Sequence, residues 1–264
     1  MTYYQGSTAD CSLNVVRAGR RDKRLVVLVH AVGLDLTYWD QQISALASNY
    51  DVVAYDLRGH GRSTTCAKYD FSALAGDLSS AITKADNGPA HVVGLSVGGM
   101  IAQTMALSRP ELVRSLTLID TVSTFSDEVR AALRARAYTV RSAGMGAIVQ
   151  TTLERWFTAD FAVRRPDVMD RVTKTLISCE AGVHASMWDT IATLDVAPAL
   201  HALRVPTLVL VGENDPTTPP AAARVIAERI QQARLAIIPS VSHISPVEAP
   251  QIVNRKLIEF LDAV

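Results

Sequence analysis

Short apolar runs that alternate with helical segments limit most strongly how this chain folds. Six runs rich in Val, Leu and Ile lack polar alternation, which is typical of strands buried on both faces of a parallel sheet; they lie at 24–30, 51–55, 91–95, 113–119, 207–211 and 234–238. Segments with a helical hydrophobic period lie between or after them, at 38–48, 71–84, 97–108, 221–230 and 247–261. This order predicts an α/β fold with a mostly parallel central sheet flanked by helices.

One long stretch contains no strand-like run. Between residues 121 and 203 the apolar residues recur only at helical spacing. This pattern predicts a helical cap, inserted between two late strands, above the carboxyl edge of the sheet where such folds bind ligands. We therefore expect residues 1–120 and 204–264 to form a core domain and residues 121–203 to form a cap.

Charge and cysteine content narrow the function classes. Lys and Arg number 26, as do Asp and Glu, and like charges form no block, so we expect neither a nucleic acid nor a membrane as partner. No apolar run reaches the roughly 20 residues of a membrane span, and the first residues lack a signal-peptide pattern, so a cytoplasmic location is expected. Cys11, Cys66 and Cys179 show no CxxC spacing, and separate reduced thiols are expected.

The stretch GLSVG at residues 94–98 carries the clearest chemical signal. A serine between glycines, placed between a strand and a helix, is typical of a nucleophile elbow, in which a strained turn projects the serine Oγ above the sheet. A dinucleotide-binding loop would need glycine where Ser96 stands, and no GxxxxGK motif occurs. The alternative without chemistry is a glycine-rich turn that happens to contain a serine.

A serine nucleophile needs a base and a carboxylate that orients the base. His243 follows the last strand-like run, and Asp215 follows the run before it. The order Ser96, Asp215, His243 is the one expected on this fold. Asp120, at the end of the fourth run, and Glu213 are alternative acids.

The loop after the first run predicts the rest of the site. We expect the backbone N–H groups of Val32 and Val97 to bind a developing oxyanion. His30, Trp156 and Trp188 are candidate residues of the substrate pocket.

Several motifs together resemble the α/β-hydrolase superfamily over essentially the whole length; they are VLVHAVGLDLTYWD, YDLRGHGRS, GLSVGGMIAQ, VGENDPTTPP and SVSHISPVE. Within it, the stretches GLDLTYWDQQ, ERWFTADF and RIQQARLAIIPSVSHIS resemble the 3-oxoadipate enol-lactonases. That resemblance implies a small anionic lactone, opened by water through an acyl-serine, without cofactor or metal. For such a substrate an arginine clamp is expected, because guanidinium pairs with carboxylate in bidentate fashion; the cap offers Arg134, Arg136, Arg141 and Arg155.

Two stretches differ from the enol-lactonase pattern. Enol-lactonases usually have a polar SNSLG-type stretch where this chain has VHAVG at 29–33, and smaller residues where it has Met187 and Trp188. These changes also fit a larger or less polar ester or lactone. A broad carboxylesterase, a C–C bond hydrolase of meta-cleavage products and a cofactor-free perhydrolase use the same triad, and a slow ligand receptor on this scaffold is a further alternative. The sequence carries no signal for the oligomeric state.

Overall fold

In a computed structural model, which describes residues 1–8 and 10–264, eight strands form one sheet in the order β1-β2-β4-β3-β5-β6-β7-β8. Strands β3 to β8 run parallel to their neighbours, whereas the β1–β2 and β2–β4 pairs are antiparallel. The strands are β1 (Thr2–Ser7), β2 (Ser12–Gly19), β3 (Leu25–Val29), β4 (Asp51–Tyr55), β5 (Ala90–Leu95), β6 (Val113–Ile119), β7 (Thr207–Gly212) and β8 (Ala233–Ile238).

Helices cover both faces of this sheet and fill the long interval between β6 and β7. They are α1 (Asp40–Leu46), α2 (Phe71–Ala85), α3 (Val97–Ser108), α4 (Asp127–Ala143), α5 (Val149–Trp156), α6 (Ala159–Arg164), α7 (Pro166–Ser178), α8 (Ala181–Ile191), α9 (Pro220–Arg229), α10 (Ser245–Glu248) and α11 (Pro250–Leu261). We call α4 to α8 the cap helices. The division into a core of residues 1–120 and 204–264 and a cap of residues 121–203 stays a prediction.

The predicted α/β fold is confirmed, and the six apolar runs correspond to β3 to β8. Strands β1 and β2 were not predicted. In β2, polar residues interrupt the apolar pattern, and distant carboxylates satisfy them: Asn14 donates to Asp56, and Arg17 donates to Asp51. Such tertiary partners leave no local trace in the sequence.

Two further findings concern the cysteines and the membrane. Cys11 and Cys66 form a disulfide, with Cα atoms 5.9 Å apart, so the expectation of separate thiols is wrong for this pair. Burial raises the pKa of the free Cys179 thiol to about 12. Within the described ranges, no helix is both long enough and apolar enough to cross a membrane.

Candidate active site

Ser96 occupies the sharp turn between β5 and α3. Its φ of +55° lies in the left-handed region, which costs energy for a residue with a Cβ. The flanking glycines are required by close contact: a Cβ on Gly94 would lie 2.3 Å from the Gly98 carbonyl oxygen, and one on Gly98 would lie 2.1 Å from the Val29 oxygen. The strand–turn–helix geometry therefore sets the serine at the carboxyl edge of the sheet.

The structure brings the predicted base and acid to this serine. His243 Nε2 lies 3.1 Å from Ser96 Oγ, and His243 Nδ1 lies 2.8 Å from Asp215 Oδ2. Because the Asp215 carboxylate accepts a hydrogen bond from Nδ1–H, Nε2 carries no proton and can take one from the serine. All three residues are buried, with the serine 7% exposed.

Polar groups from its own turn keep Asp215 in its ionised form. The backbone N–H groups of Thr217 and Thr218 donate to Oδ1, at 2.7 and 3.0 Å, and the Thr218 hydroxyl donates to Oδ2 at 2.6 Å. Although burial opposes the charge, His243 and these bonds lower the pKa of Asp215. Asp215 in turn raises the pKa of His243 against the opposing effect of burial. Thr218 is not among the residues predicted from the sequence, although Asp-Pro-Thr-Thr at 215–218 is a recognisable side-chain turn.

The two alternative acids lie elsewhere. Asp120 is fully buried and accepts backbone N–H bonds from Gly212 and Ser245, at 2.9 and 3.0 Å. Burial, followed by the charge of Asp215, raises the pKa of Asp120 to about 7. Glu213 is exposed and accepts a bond from the Ser240 N–H. In this geometry Asp215 is the carboxylate bonded to the imidazole.

Two backbone donors are available for an oxyanion. Val97 is the first residue of α3, so its N–H cannot have a partner within the helix. Val32 lies in the loop after β3, and its N–H has no acceptor among the described residues. Gly98 contacts the end of β3, which brings this loop and the start of α3 together. The roles of both donors stay predictions.

A cavity of about 370 Å³ opens directly onto the serine, between the sheet edge and the cap helices. Trp156 and Trp188, the two tryptophans predicted to be pocket residues, both line this cavity. Trp188 donates its indole N–H to His184 Nε2 at 2.9 Å, so the polar atom of the ring already has a partner. The other lining residues include Met100, Phe125, Leu133, Thr152 and Ile191.

His30 is not among the residues that line this cavity. It is fully buried at the start of the loop after β3, and both ring nitrogens form hydrogen bonds with backbone groups. Nδ1 donates to the Ala31 carbonyl at 2.8 Å, and Nε2 accepts the Leu57 N–H at 2.9 Å. The pocket role predicted for His30 does not fit this position.

The four cap arginines differ in whether they line the cavity. Arg136 and Arg155 line the cavity, whereas Arg134 is exposed and Arg141 pairs with Asp189 at 2.5 Å. The Arg155 guanidinium donates to the Pro216 carbonyl. The sequence does not show which of the four arginines lies at the cavity, because that depends on the residues that each side chain contacts in the folded protein.

Neither Arg136 nor Arg155 has a carboxylate partner among the described residues, but Arg136 is half-buried whereas Arg155 is exposed and donates to a backbone carbonyl. The Arg136 guanidinium donates to the Thr152 hydroxyl and lies 4.8 Å from the centre of the Trp188 ring, and its Nε is buried without a hydrogen-bond partner. Burial and the nearby Arg155 lower its pKa to about 10, so it keeps its charge at neutral pH. In residues 1–8 and 10–264, no group of three or more His, Cys, Asp or Glu is arranged to hold a metal ion.

Known proteins are similar to this chain in sequence and in structure. A family profile described as alpha/beta hydrolase fold matches residues 24–250. The chain is 32% identical to 3-oxoadipate enol-lactonase 2 of Acinetobacter baylyi, over 93% of this chain and 91% of that protein. The crystal structure of an enol-lactonase from Burkholderia xenovorans superposes with a TM-score of 0.92 at 29% identity, covering 98% and 100% of the two chains.

A thermophilic esterase from Thermogutta terrifontis, solved with malate bound, superposes equally well. Its TM-score is 0.92 at 28% identity, over 100% of this chain and 99% of that one. The predicted resemblance to the superfamily and to the enol-lactonases is thus confirmed. The chain belongs to the α/β-hydrolase fold family.

Proposed function

We propose that this hydrolase opens a small carboxylate-bearing ester or lactone through an acyl-serine, with 3-oxoadipate enol-lactone as the best-fitting substrate. One observation carries the proposal: the Ser96–His243–Asp215 triad faces a largely apolar cavity, and a half-buried guanidinium in its wall, Arg136, has no carboxylate partner and leaves its Nε without a hydrogen bond. Relatives named for this lactone and an esterase solved with a dicarboxylate bound support the same substrate class.

In the proposed mechanism, each step has its own residue. His243 takes the Ser96 proton, the alkoxide attacks the carbonyl, and the N–H groups of Val32 and Val97 bind the oxyanion. Each such donor lowers the barrier by about 3 kcal/mol. The enol leaves with the proton from His243, and the same histidine then activates water to release the acid. Asp215 fixes the imidazole and stabilises its cation throughout.

Arg136 supplies the argument for an anionic substrate. A buried guanidinium nitrogen without a partner is costly, and a substrate carboxylate provides the missing acceptor. The Trp188 ring lies against the guanidinium, 4.8 Å from the ring centre to the guanidinium carbon, and helps to hold this cation beside the cavity. Thr152 holds one of the remaining N–H groups.

The test compares substrates that differ only in charge. Steady-state hydrolysis is measured for freshly generated 3-oxoadipate enol-lactone, for its methyl ester at the free carboxylate, and for p-nitrophenyl butyrate. Arg136→Gln is expected to raise KM for the lactone about 10- to 100-fold, the worth of a charge-assisted bond, and to leave the other two substrates within a few-fold. Arg134→Gln, on the same helix but exposed, is the matched control.

Each outcome has a distinct meaning. Ser96→Ala must abolish turnover of all three substrates if the acyl-serine mechanism holds. If the wild-type enzyme cleaves the neutral esters but not the lactone, the serine-hydrolase function stands and the anionic substrate class is wrong. If Arg136→Gln and Arg134→Gln behave alike, the carboxylate subsite is wrong as well.

A further inference from the structure

The last residue of β6 and the two residues after it form hydrogen bonds with backbone groups at or near Ser96, Asp215 and His243. The Ser96 N–H donates to the Ile119 carbonyl at 2.9 Å, and the Thr121 hydroxyl donates to the Ser96 carbonyl at 2.7 Å. Asp120 stands between these two residues. We call Ile119, Asp120 and Thr121 the β6 terminus.

Asp120 reaches the other two reacting loops. Its Oδ1 accepts the N–H of Gly212, three residues before Asp215, and its Oδ2 accepts the N–H of Ser245, two residues after His243. The residue is fully buried, and its own N–H donates to the Leu210 carbonyl at 2.9 Å. The two carboxylate oxygens are thus hydrogen-bonded to the residue where the Asp215 loop starts, at the end of β7, and to the residue where the His243 loop ends, at the start of α10.

The backbone of Asp120 has an unfavourable conformation. Asp120 has φ of +46°, in the left-handed region that glycine would occupy without cost. A side chain without an acceptor there would leave two buried N–H groups unbonded, and Asn would leave one, which costs free energy at each such group. The side chain, rather than the turn alone, therefore connects the loops.

We propose that Asp120 is a positioning residue, which acts in its ionised form to hold the Asp215 and His243 loops in register with Ser96 and to strengthen His243 as a base. The inference rests on the proposed serine-hydrolase function, but not on the lactone or on Arg136. The ionised form accepts both backbone N–H groups, whereas protonation takes up one oxygen as a donor.

Four charged or titratable groups meet at this point. Asp120 extends from the β6 terminus, Asp215 from the loop after β7, His243 from the loop after β8, and Arg155 from cap helix α5. Burial lowers the pKa of His243, the charges of Asp215 and Asp120 raise it, and Arg155 lowers it. Removing the Asp120 charge must consequently lower the pKa of His243.

The test uses Asp120→Asn with p-nitrophenyl acetate, whose hydrolysis does not depend on the carboxylate subsite. We expect kcat/KM at pH 8 to fall at least tenfold, as for one lost bond to a charged group. We also expect the acidic limb of the pH profile to move to lower pH, because a less basic His243 loses its proton earlier. Asp51→Asn, a buried carboxylate at the opposite edge of the sheet, is the matched control and leaves the midpoint unchanged.

A purely structural role would lower the rate without moving the midpoint, and an unmoved midpoint overturns the proposal. Labelling of Ser96 by a fluorophosphonate counts folded sites in each variant. If Asp120→Asn does not fold, the wild-type enzyme decides: the ¹H and ¹⁵N shifts of the His243 ring, assigned with His243→Gln, should titrate in two steps. A single step overturns the proposal.

Discussion

Ser96 combines a reactive side chain with a strained backbone. Its φ of +55° costs about 1–3 kcal/mol for a residue with a Cβ. The strain is the consequence of turning from β5 into α3 within one residue, which leaves Oγ projecting toward His243. The same strain can be measured apart from catalysis.

At this residue, we expect Ser96→Gly to be more stable than Ser96→Ala by about 1 kcal/mol, although neither variant hydrolyses substrate. Glycine relieves the strain, and this gain exceeds its entropic cost in the unfolded chain. Urea unfolding monitored by circular dichroism measures the difference. The same pair at Ser79, inside α2, should show the opposite sign, because glycine weakens a regular helix. Equal signs at the two positions would contradict a strained nucleophile.

Local chemistry is what the sequence reveals at the level of single residues. Ser96 lies in a motif that only a strand–turn–helix context explains, and Asp215 and His243 follow strands in the order this fold requires. Asp120 has an equally good position after its strand. Only the tertiary structure shows that Asp215 meets the imidazole, whereas Asp120 meets the backbone of both loops.

At the scale of elements, the close approach of α3 to β3 sets the geometry of the site. A Cβ on Gly98 would lie 2.1 Å from the Val29 carbonyl oxygen, so helix and strand can be this close only with glycine. The same approach brings Val97 near the loop after β3, which contains Val32. A shift of about 1 Å between reacting groups costs on the order of 100-fold in rate.

We therefore expect Gly98→Ala to destabilise the fold by about 3 kcal/mol, because backbone atoms must move, and to lower kcat at least 100-fold. Gly76→Ala is the matched control: Gly76 lies exposed in α2, and a Cβ there has no neighbour within 4 Å. That substitution should stabilise the protein by about 0.5–1 kcal/mol. Thermal unfolding and p-nitrophenyl acetate hydrolysis measure both variants. Similar effects at the two glycines would refute the close-approach explanation.

The cap helices contribute to the catalytic loop as well as to the pocket. The Trp156 carbonyl, at the end of α5, accepts the Ile244 N–H at 3.2 Å, and the Arg155 carbonyl accepts the Ser242 hydroxyl at 3.1 Å. These bonds lie on either side of His243. Helical periodicity predicted the cap, but it carried no information about which carbonyl would meet this loop.

For the whole molecule, we expect buried neutral histidines to dominate the pH dependence of stability. Burial lowers the pKa of His60 and His184 to about 3 and that of His91 to about 4, and it also lowers the pKa of His30. Because the folded pKa is depressed, their contribution is complete above the unfolded pKa of 6.5 and is lost as the pH falls below it.

Asp120 and His243 act in the opposite direction. Their folded pKa values are raised, to about 7 for Asp120, so their contributions are present at low pH and are lost as the pH rises through the folded pKa. Four histidines outweigh these two groups. The wild-type free energy of unfolding should consequently be roughly 2–3 kcal/mol lower at pH 5 than at pH 8.

Urea unfolding at the two pH values measures this difference. His91→Gln, far from the active site, should reduce it, because one buried imidazole no longer has to stay neutral. Equal stability at pH 5 and pH 8 would show that the buried histidines do not control acid unfolding.

Local patterns in the sequence are enough to predict the parallel sheet, the helical insertion, the serine between β5 and α3 and the chain order of its partners. These features depend on local periodicity, on turn chemistry and on which strand end each residue follows. Long-range contacts set the β1–β2 edge, the position of Arg136 beside the cavity, the burial of His30 and the connections made by Asp120. Each of those depends on which distant groups satisfy a buried charge or hydrogen bond, and segments far apart in the chain supply them only after folding.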